Sequence, residues 1–417
     1  MRTLVERLLP ERLGSGFRWL VGSSWVSNLG DGVAMAAGPL VLAALTEDAR
    51  LVALGATVQW LPPLAFGLLA GAISDRLDRR RIVLVGNALR VLVLAVLSLA
   101  MITGHVSIGI VLGALLLLGT SEVFVDNAAS TLLPMLVSRE DILVGNARLQ
   151  AGFVTLNQLA GPPLGAALFT LGMTVPFASQ TLMVALATVL VGRLQLPPHR
   201  KERHERGRLH HDIAEGFGWA MRHGAVRTLI ATIFIFNLTF GAAWSVLVLY
   251  ATRRLGLGEV GFGLVTTVQA AGGLLGILAY GWLTRHVSLT NIMRAGLIIE
   301  TLTHLGLALT RSPWVAMPIF FVFGMHAFVW GTTSQTIRQR VVPTALQGRV
   351  NSVNVVGVFG GLVVGSVIGG SLAEHWGVTA PFWYAFAGSA VFVVLIWRQL
   401  RHLSAGESVA AEEVDPA

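Results

Sequence analysis

The sequence predicts an all-α membrane protein, twelve transmembrane helices arranged as two pseudo-symmetric six-helix bundles. Three observations predict it: sparse charge, apolar runs of membrane-spanning length, and a pattern that returns halfway along the chain. Charged residues make up 12% of the 417 and hydrophobic residues 54%, where a soluble surface needs about a quarter of its residues charged. Mean hydropathy is +0.70. Apolar runs of about 20 residues can each cross the hydrocarbon core as a helix, and the absence of water there obliges every backbone group to pair within its own segment.

The spans fall at 17–45, 51–74, 81–104, 107–137, 145–170, 174–194, 225–252, 259–284, 290–310, 313–341, 347–373 and 380–398. The first has the position of a signal peptide but is too long, carries Asp31 midway and runs straight into a second span, so it is expected to be a mature helix. The second and third meet at "GAISDRLDRRRIVL" (71–84), a turn dense in arginine and aspartate. The third span holds Arg90, the fourth Glu122 and Asp126, and the ninth Glu300. "NQLAGPPLGAALF" (157–169) puts prolines and glycines in the fifth; proline removes a backbone donor and bends a helix, while glycine lets helices approach closely. The eleventh is similarly rich in glycine at Gly357, Gly360, Gly361, Gly365, Gly369 and Gly370.

Between the sixth and seventh spans, 195–224 is the only long hydrophilic segment. Its "DIAEGFGWAMRH" sets Ile213, Phe217, Trp219 and Met221 among charges, a pattern that suits a short amphipathic helix at the interface. His204, His210 and His211 lack carboxylate or thiolate partners at fixed spacing, so a solvated loop is expected rather than a metal site. The expected organisation is therefore a bundle at 1–194, a linker at 195–224, a bundle at 225–400 and a disordered tail at 401–417.

"GMTVPF" (172–177) returns as "GVTAPF" (377–382), 205 positions later, and "LPMLVSREDILVGNA" (133–147) is echoed by "VPTALQGRVNS" (342–352). Repeated six-span halves imply a pseudo-twofold axis along the membrane normal with a cavity between them. The net charge of +8 does not point to nucleic acid: with a cytoplasmic N-terminus, 25 of the 30 basic residues fall at cytoplasmic ends or loops. That asymmetry places both termini in the cytoplasm; Arg253 and Arg254 are the awkward pair. No cysteine is present, which excludes disulfides and thiolate metal sites. The one lysine, Lys201, follows no glycine-rich loop, so ATP hydrolysis through a GxxxxGK[ST] loop is excluded. No cofactor or metal is expected. No HExxH, GxSxG or clustered His/Asp set supports a membrane enzyme, and no extra soluble domain supports a sensor.

The turn, the repeat and the basic linker together resemble the major facilitator superfamily. Its loop motif G-x-x-x-D-R-x-G-R-[RK] is matched by Gly71, Asp75, Arg76, Arg79 and Arg80, with Asp78 where the family has glycine. "NLGDG", "EVFVDNAASTLLPMLV", "AGPPLG" and "DIAEGF" are similar to the drug and siderophore exporter branch that includes macrolide efflux proteins and the enterobactin exporter. The resemblance implies a latch in which Asp75 meets a helix N-terminus of the other half, a contact of roughly 0.3–2 kcal/mol. It also implies an exporter signature at Gly161, Pro162, Pro163 and Gly165, and a central cavity lined by the first and fourth spans with the seventh and tenth as its other wall. Asn28, Asn237, Phe240, Trp244, His326 and Trp330 are then the expected substrate contacts, suited to a bulky amphipathic molecule.

Ionised groups within spans normally face a cavity or a partner, each costing roughly 2.5–3.5 kcal/mol at a helix centre. Glu122 and Asp126, four residues apart, share a helix face. Three carboxylates around a poorly hydrated cavity cannot all stay ionised, so Asp31 or Glu122 is expected to carry the coupling proton, with Asp126 assisting or binding cation. The alternative is that Arg90 neutralises one acid permanently. For Glu300 a local pair with His304, one turn on, is expected. The expectation is a monomeric proton-coupled exporter of a small hydrophobic molecule in the bacterial inner or plasma membrane. An importer or a lipid or metabolite carrier is the alternative.

Overall fold

The described residues of the computed structural model, 10–74, 76–196, 209–397 and 399, form helices and no strand. Their order is α1 (Gly14–Leu45), α2 (Ala49–Ser74), α3 (Arg79–Ile102), α4 (Ile108–Ser130), α5 (Ile142–Gly152), α6 (Gly161–Leu171) and α7 (Val175–Gly192). After α8 (Leu209–Arg222) come α9 (Gly224–Trp244), α10 (Glu259–His286), α11 (Leu289–Leu309), α12 (Pro313–Val341), α13 (Gln347–Trp376) and α14 (Ala380–Ile396). Ten described helices are long and apolar enough to cross a membrane. The two other expected spans are α14, shorter but apolar, and the fifth, which is one run of α5 and α6 joined by a π-helical stretch, Phe153–Ala160.

Two expected spans end early. The fourth stops at Ser130 and restarts as Leu133–Leu136, with Pro134 in its first turn. The seventh stops at Trp244 before a short turn and a π-helical Tyr250–Arg254. Window-averaged hydropathy does not see either break, because the flanking residues are apolar enough to outweigh Ser130 and Thr131 in one and Ser245 in the other.

Local chemistry explains several boundaries. Ser107 and Ser288 cap α4 and α11, accepting from the backbone N–H three residues on. Asp78, the residue that departs from the loop motif, does the same for α3: its side chain accepts from Arg81 N at 3.1 Å. The repeated "GMTVPF" and "GVTAPF" also have a structural basis. Gly172 and Gly377 adopt φ of +153° and +87°, conformations open to glycine. Pro176 and Pro381 enter the first turns of α7 and α14, where no donor is needed. Phe177 and Phe382 are both fully buried. The Arg254 guanidinium donates to the Ala308, Leu309 and Thr310 carbonyls at the end of α11, a favourable place for a cation.

The chain divides into two compact units. The first comprises 1–47, 58–204 and 258–267. In it α1 packs along α6 and α7, and α3 along α4 and α7, over a core that includes Phe17, Leu20, Val83, Val125, Leu133 and Val191. The second comprises 48–57, 205–257 and 268–417. Here α9 packs along α13, and α11 against α12 and α14. The α9–α13 crossing is made by glycine: Gly361, Gly365 and Gly369 set the α13 backbone against the Phe234, Leu238 and Ala242 carbonyls. Gly370 lies against Ala53, while Gly357 and Gly360 meet nothing. The first turns of α2, in the same unit, are tied to α13 by Ala49 N donating to Glu374 Oε2 at 2.8 Å and by a 2.6 Å Thr57–Ser366 hydroxyl contact.

The amphipathic linker helix forms as α8. Ala220, Trp219 and Met221 join a cluster with Val226, Val350 and Val353, and Glu215 pairs with Arg349 at 2.6 Å. Phe217 stays exposed. His204 lies outside the described residues, and no metal-holding group of three or more His, Cys, Asp or Glu exists among the described ones.

Candidate functional site

The first unit gathers four of the five intramembrane charges. Arg90 on α3 is 2% exposed and forms its ion pair with Asp31 of α1. Three neutral side chains complete the pair. Ser27, one turn before Asp31, donates to its Oδ2 at 3.2 Å. Gln180 of α7 donates to Oδ1 at 3.3 Å. Asn87, one turn before Arg90, accepts from Nη1 at 3.3 Å. Asp31 is therefore held by donors from three helices. Sequence reasoning left Asp31 as either a proton carrier or an acid neutralised by Arg90; in the structure its direct partner is Arg90.

Glu122 and Asp126 are placed differently. Both lie close enough to Arg90 and Asp31 for direct electrostatic interaction, yet among the described residues neither accepts a hydrogen bond. Glu122 is half-buried and Asp126 exposed. That exposure is not on the side of α4 that carries Ile110 and Leu117. The packed stripe of α4 is Val111, Ala114, Leu118, Ser121 and Val125, and the exposed Ile110 and Leu117 flank one side of it. The acids flank the other side. Leu115, seven residues before Glu122 and on its face, lies against Gly38 of α1, while Gly119 meets Pro62 of α2. The two acids thus lie on the face of α4 that turns toward α1 and α2, among the other charges.

The proline–glycine motif sits beside this cluster. Gly161 and Gly165 press on Gly32 and Val33, directly after Asp31. Pro163 has no N–H to give the Leu159 carbonyl, four residues back; Thr267 Oγ1 donates to it instead at 2.9 Å. Gly263 rests on Pro162 and Pro163. A valine at position 165 would place its Cβ inside the Val33 carbonyl contact. Gly165→Val is expected to cost roughly 1–3 kcal/mol, read as a lowered Tm in detergent, while Gly360→Val, at a glycine that meets nothing, leaves Tm unchanged. Equal Tm values for the two variants would contradict this packing.

Other expected site residues divide. Asn28 donates within its own helix, to the Ser24 carbonyl at 2.8 Å, and its carbonyl accepts from Asn157. Asn237 likewise donates to Ile233 O at 2.7 Å. Phe240 and Trp244 stack with ring centroids 4.5 Å apart, and both meet Phe323. The expected Glu300–His304 pair does not form. Glu300 Oε2 lies 3.4 Å from His326 Nε2, so His326 is a partner of the acid. His304 turns its ring edge-on to Trp244 at 5.9 Å. The reason is Gly296, one turn before Glu300: its bare Cα lets the His326 and Trp330 rings of α12 close on α11.

In the loop between α2 and α3, Asp75 lies outside the described residues. Arg76 is exposed and Gly71 faces Asn127. Arg80 donates to the Gly192 carbonyl at the end of α7, and Arg79 reaches Met135 Sδ at 3.5 Å. Sequence reasoning missed Gln180, Ser27 and Asn87. Gln180 was findable as the one amide in an otherwise apolar α7; the others stand one turn before a charge.

Comparison with known proteins agrees with this architecture. A family model described as "Transmembrane secretion effector" matches residues 11–416. The chain is 30% identical over 382 residues to "Multidrug efflux pump Tap" of Mycolicibacterium fortuitum, covering 85% of this chain and 88% of that one. Among solved structures, the nucleoside transporter NupG superposes with a TM-score of 0.71 at 13% identity, covering 94% and 98% of the two chains. A bacterial homologue of the iron transporter ferroportin, in its inward-facing state, gives 0.70 at 17% identity, covering 93% and 98%. At such identities these two likenesses concern the fold alone.

Proposed function

The chain belongs to the transmembrane secretion effector family of the major facilitator superfamily, and from that premise we propose that it is a proton-coupled exporter of hydrophobic or amphipathic small molecules, working by alternating access. The observation that carries the reading is the acid cluster. One guanidinium, Arg90, serves three carboxylates, and its direct partner is Asp31. Glu122 and Asp126 are left without hydrogen-bond donors among the described residues, and in this reading they line a water-accessible crevice.

The physical argument concerns net charge. With Asp31 and Arg90 cancelling, each further ionised carboxylate adds an uncompensated charge inside the membrane, where such charge is expensive. Binding a proton removes it. Glu122 and Asp126 thus have a reason to take up protons when the crevice is wetted from one side and release them when it is wetted from the other. Asp31 has none while Arg90 holds it. Export of a drug-like molecule is favoured by the likeness to a multidrug efflux pump. The aromatic group of Phe240, Trp244 and Phe323 offers apolar faces to such a cargo. The protein acts as a transporter rather than an enzyme, in a bacterial cell membrane.

The test is substrate-dependent proton movement in proteoliposomes, screened over macrolides, tetracyclines, ethidium and siderophores. At least one compound is expected to leave through the protein when a proton gradient is imposed, with protons moving the opposite way. Proton movement indifferent to every compound, or compound moving with the protons, would overturn export by antiport.

A further inference from the structure

The second unit contains an acid–base cluster that the reading above does not use. Glu300 and His304 on α11 and His326 on α12 are 9%, 0% and 5% exposed. His326 Nε2 lies 3.4 Å from Glu300 Oε2. Neither ring nitrogen of His304 has a partner, and His326 Nδ1 and Trp330 Nε1 also lack one. We propose that Glu300, His326 and His304 form a second proton-binding site, in the C-terminal repeat, built on an acid–imidazole pair instead of a guanidinium.

The chemistry differs from that of the first cluster in one decisive way. Asp31 meets a permanent cation. Glu300 meets a group that can itself lose its proton. The pair is neutral when it holds one proton, either as carboxylate with imidazolium or as carboxylic acid with imidazole. Removing that proton leaves one buried negative charge, and adding another leaves one buried positive charge. His304, one turn along α11, offers one further basic nitrogen to accept an arriving proton and one N–H to pass a proton on. A buried imidazole with both nitrogens unpaired among the described residues is costly as a purely structural element, since a buried polar atom without a hydrogen bond forfeits its solvation; a proton relay gives those nitrogens a use.

Among the described residues no permanent charge pairs with this site; beyond His304, at the end of α11, Arg254 is engaged by the Ala308, Leu309 and Thr310 carbonyls and the Tyr250 hydroxyl donates to Leu307 O at 2.6 Å. The described surroundings are, on α11, Arg294 at its first turns, beside the Trp397 ring at 5.4 Å; on α12, Arg338, bonded to Asn354 at 2.6 Å, and Arg340, in the last turn of that helix. α10 brings Tyr280, whose hydroxyl meets Thr333 at 3.4 Å, and Glu259, Arg285 and His286 at its two ends. α9, which contributes Trp244, has Arg227 in its first turn, and α14 has Tyr384 as its titratable residue. His326 is the charged or titratable group interacting with Glu300.

Proton binding can be read without any substrate. In lipid nanodiscs, infrared difference spectra across the pH range where imidazole titrates are expected to contain a protonated-carboxyl C=O component that Glu300→Gln removes and Glu122→Gln leaves. His326→Gln is expected to move the pH at which that component appears. If Glu300→Gln spectra match the wild type at every pH, Glu300 does not change charge and the proposal fails. The link to transport rests on the proton-coupled reading. In proteoliposomes with ethidium as probe, Glu300→Gln is expected to slow gradient-driven movement by roughly tenfold or more while ethidium exchange without a gradient persists. Loss of both, or of neither, in Glu300→Gln and in His326→Gln would reduce the cluster to packing. A wild type that moves no ethidium under a gradient would count against the transport reading; the spectra still decide the site.

Discussion

Glu122→Gln is expected to reduce proton-driven transport to the level of protein-free liposomes while exchange of substrate without a gradient continues. The amide keeps the size and polarity of glutamate but cannot cycle a proton. The wild-type carboxylate has no hydrogen-bond donor to fix its charge, unlike Asp31, which accepts from Ser27, Gln180 and Arg90. Asp126→Asn is expected to fall between Glu122→Gln and the wild type, since Asp126 shares the same field and lies one turn away. The measurement is a pair of assays on the same preparation, gradient-driven accumulation and gradient-free exchange. Full driven transport by Glu122→Gln would remove Glu122 from the coupling step.

Arg90→Met is expected to be among the most damaging substitutions to stability. The guanidinium is 2% exposed and Asp31 14% in their side chains. Removing one member of such a pair leaves its partner charged and unmatched, a loss of about 3–5 kcal/mol. Methionine fills much of the space of the arginine stem, so the loss reports charge more than volume. Adding Asp31→Asn to Arg90→Met is expected to recover most of it, because the asparagine oxygen can still accept from Gln180 while its amide nitrogen donates to the Ser27 hydroxyl, without needing a cation. Thermal unfolding in detergent distinguishes these outcomes. A double variant no more stable than Arg90→Met alone would mean that the pair contributes through packing.

Much of this molecule is legible in its sequence, because a bilayer imposes long apolar helices and makes charges within them rare. The spans, the repeat and all five intramembrane charges follow from those constraints. What does not follow is which charges meet. Arg90 could have taken any of three acids; the choice of Asp31 depends on how α1, α3 and α7 pack, and Gln180 enters only then. Glu300 misled for a related reason. Four-residue spacing puts His304 within reach, but Gly296 admits His326 from a neighbouring helix, a long-range consequence of a missing side chain. Helix breaks escaped similarly. The π-helical stretch before Pro162 and the early end at Trp244 lie inside segments that are apolar on average, and average hydropathy carries no information about hydrogen-bond register.

The glycine row on α13 limits how the second unit can make room. A seam of main chain on main chain has no rotamers to change, and separating it even slightly forfeits contact along its whole length. Gly361, Gly365 and Gly369 therefore fix α9 and α13 as a single stiff girder. Any widening that admits bulky cargo must occur along seams lined by side chains, such as the aromatic one between Trp244 and Phe323. Breadth of substrate choice would then be set by aromatic rings that can swing, within a frame that does not stretch.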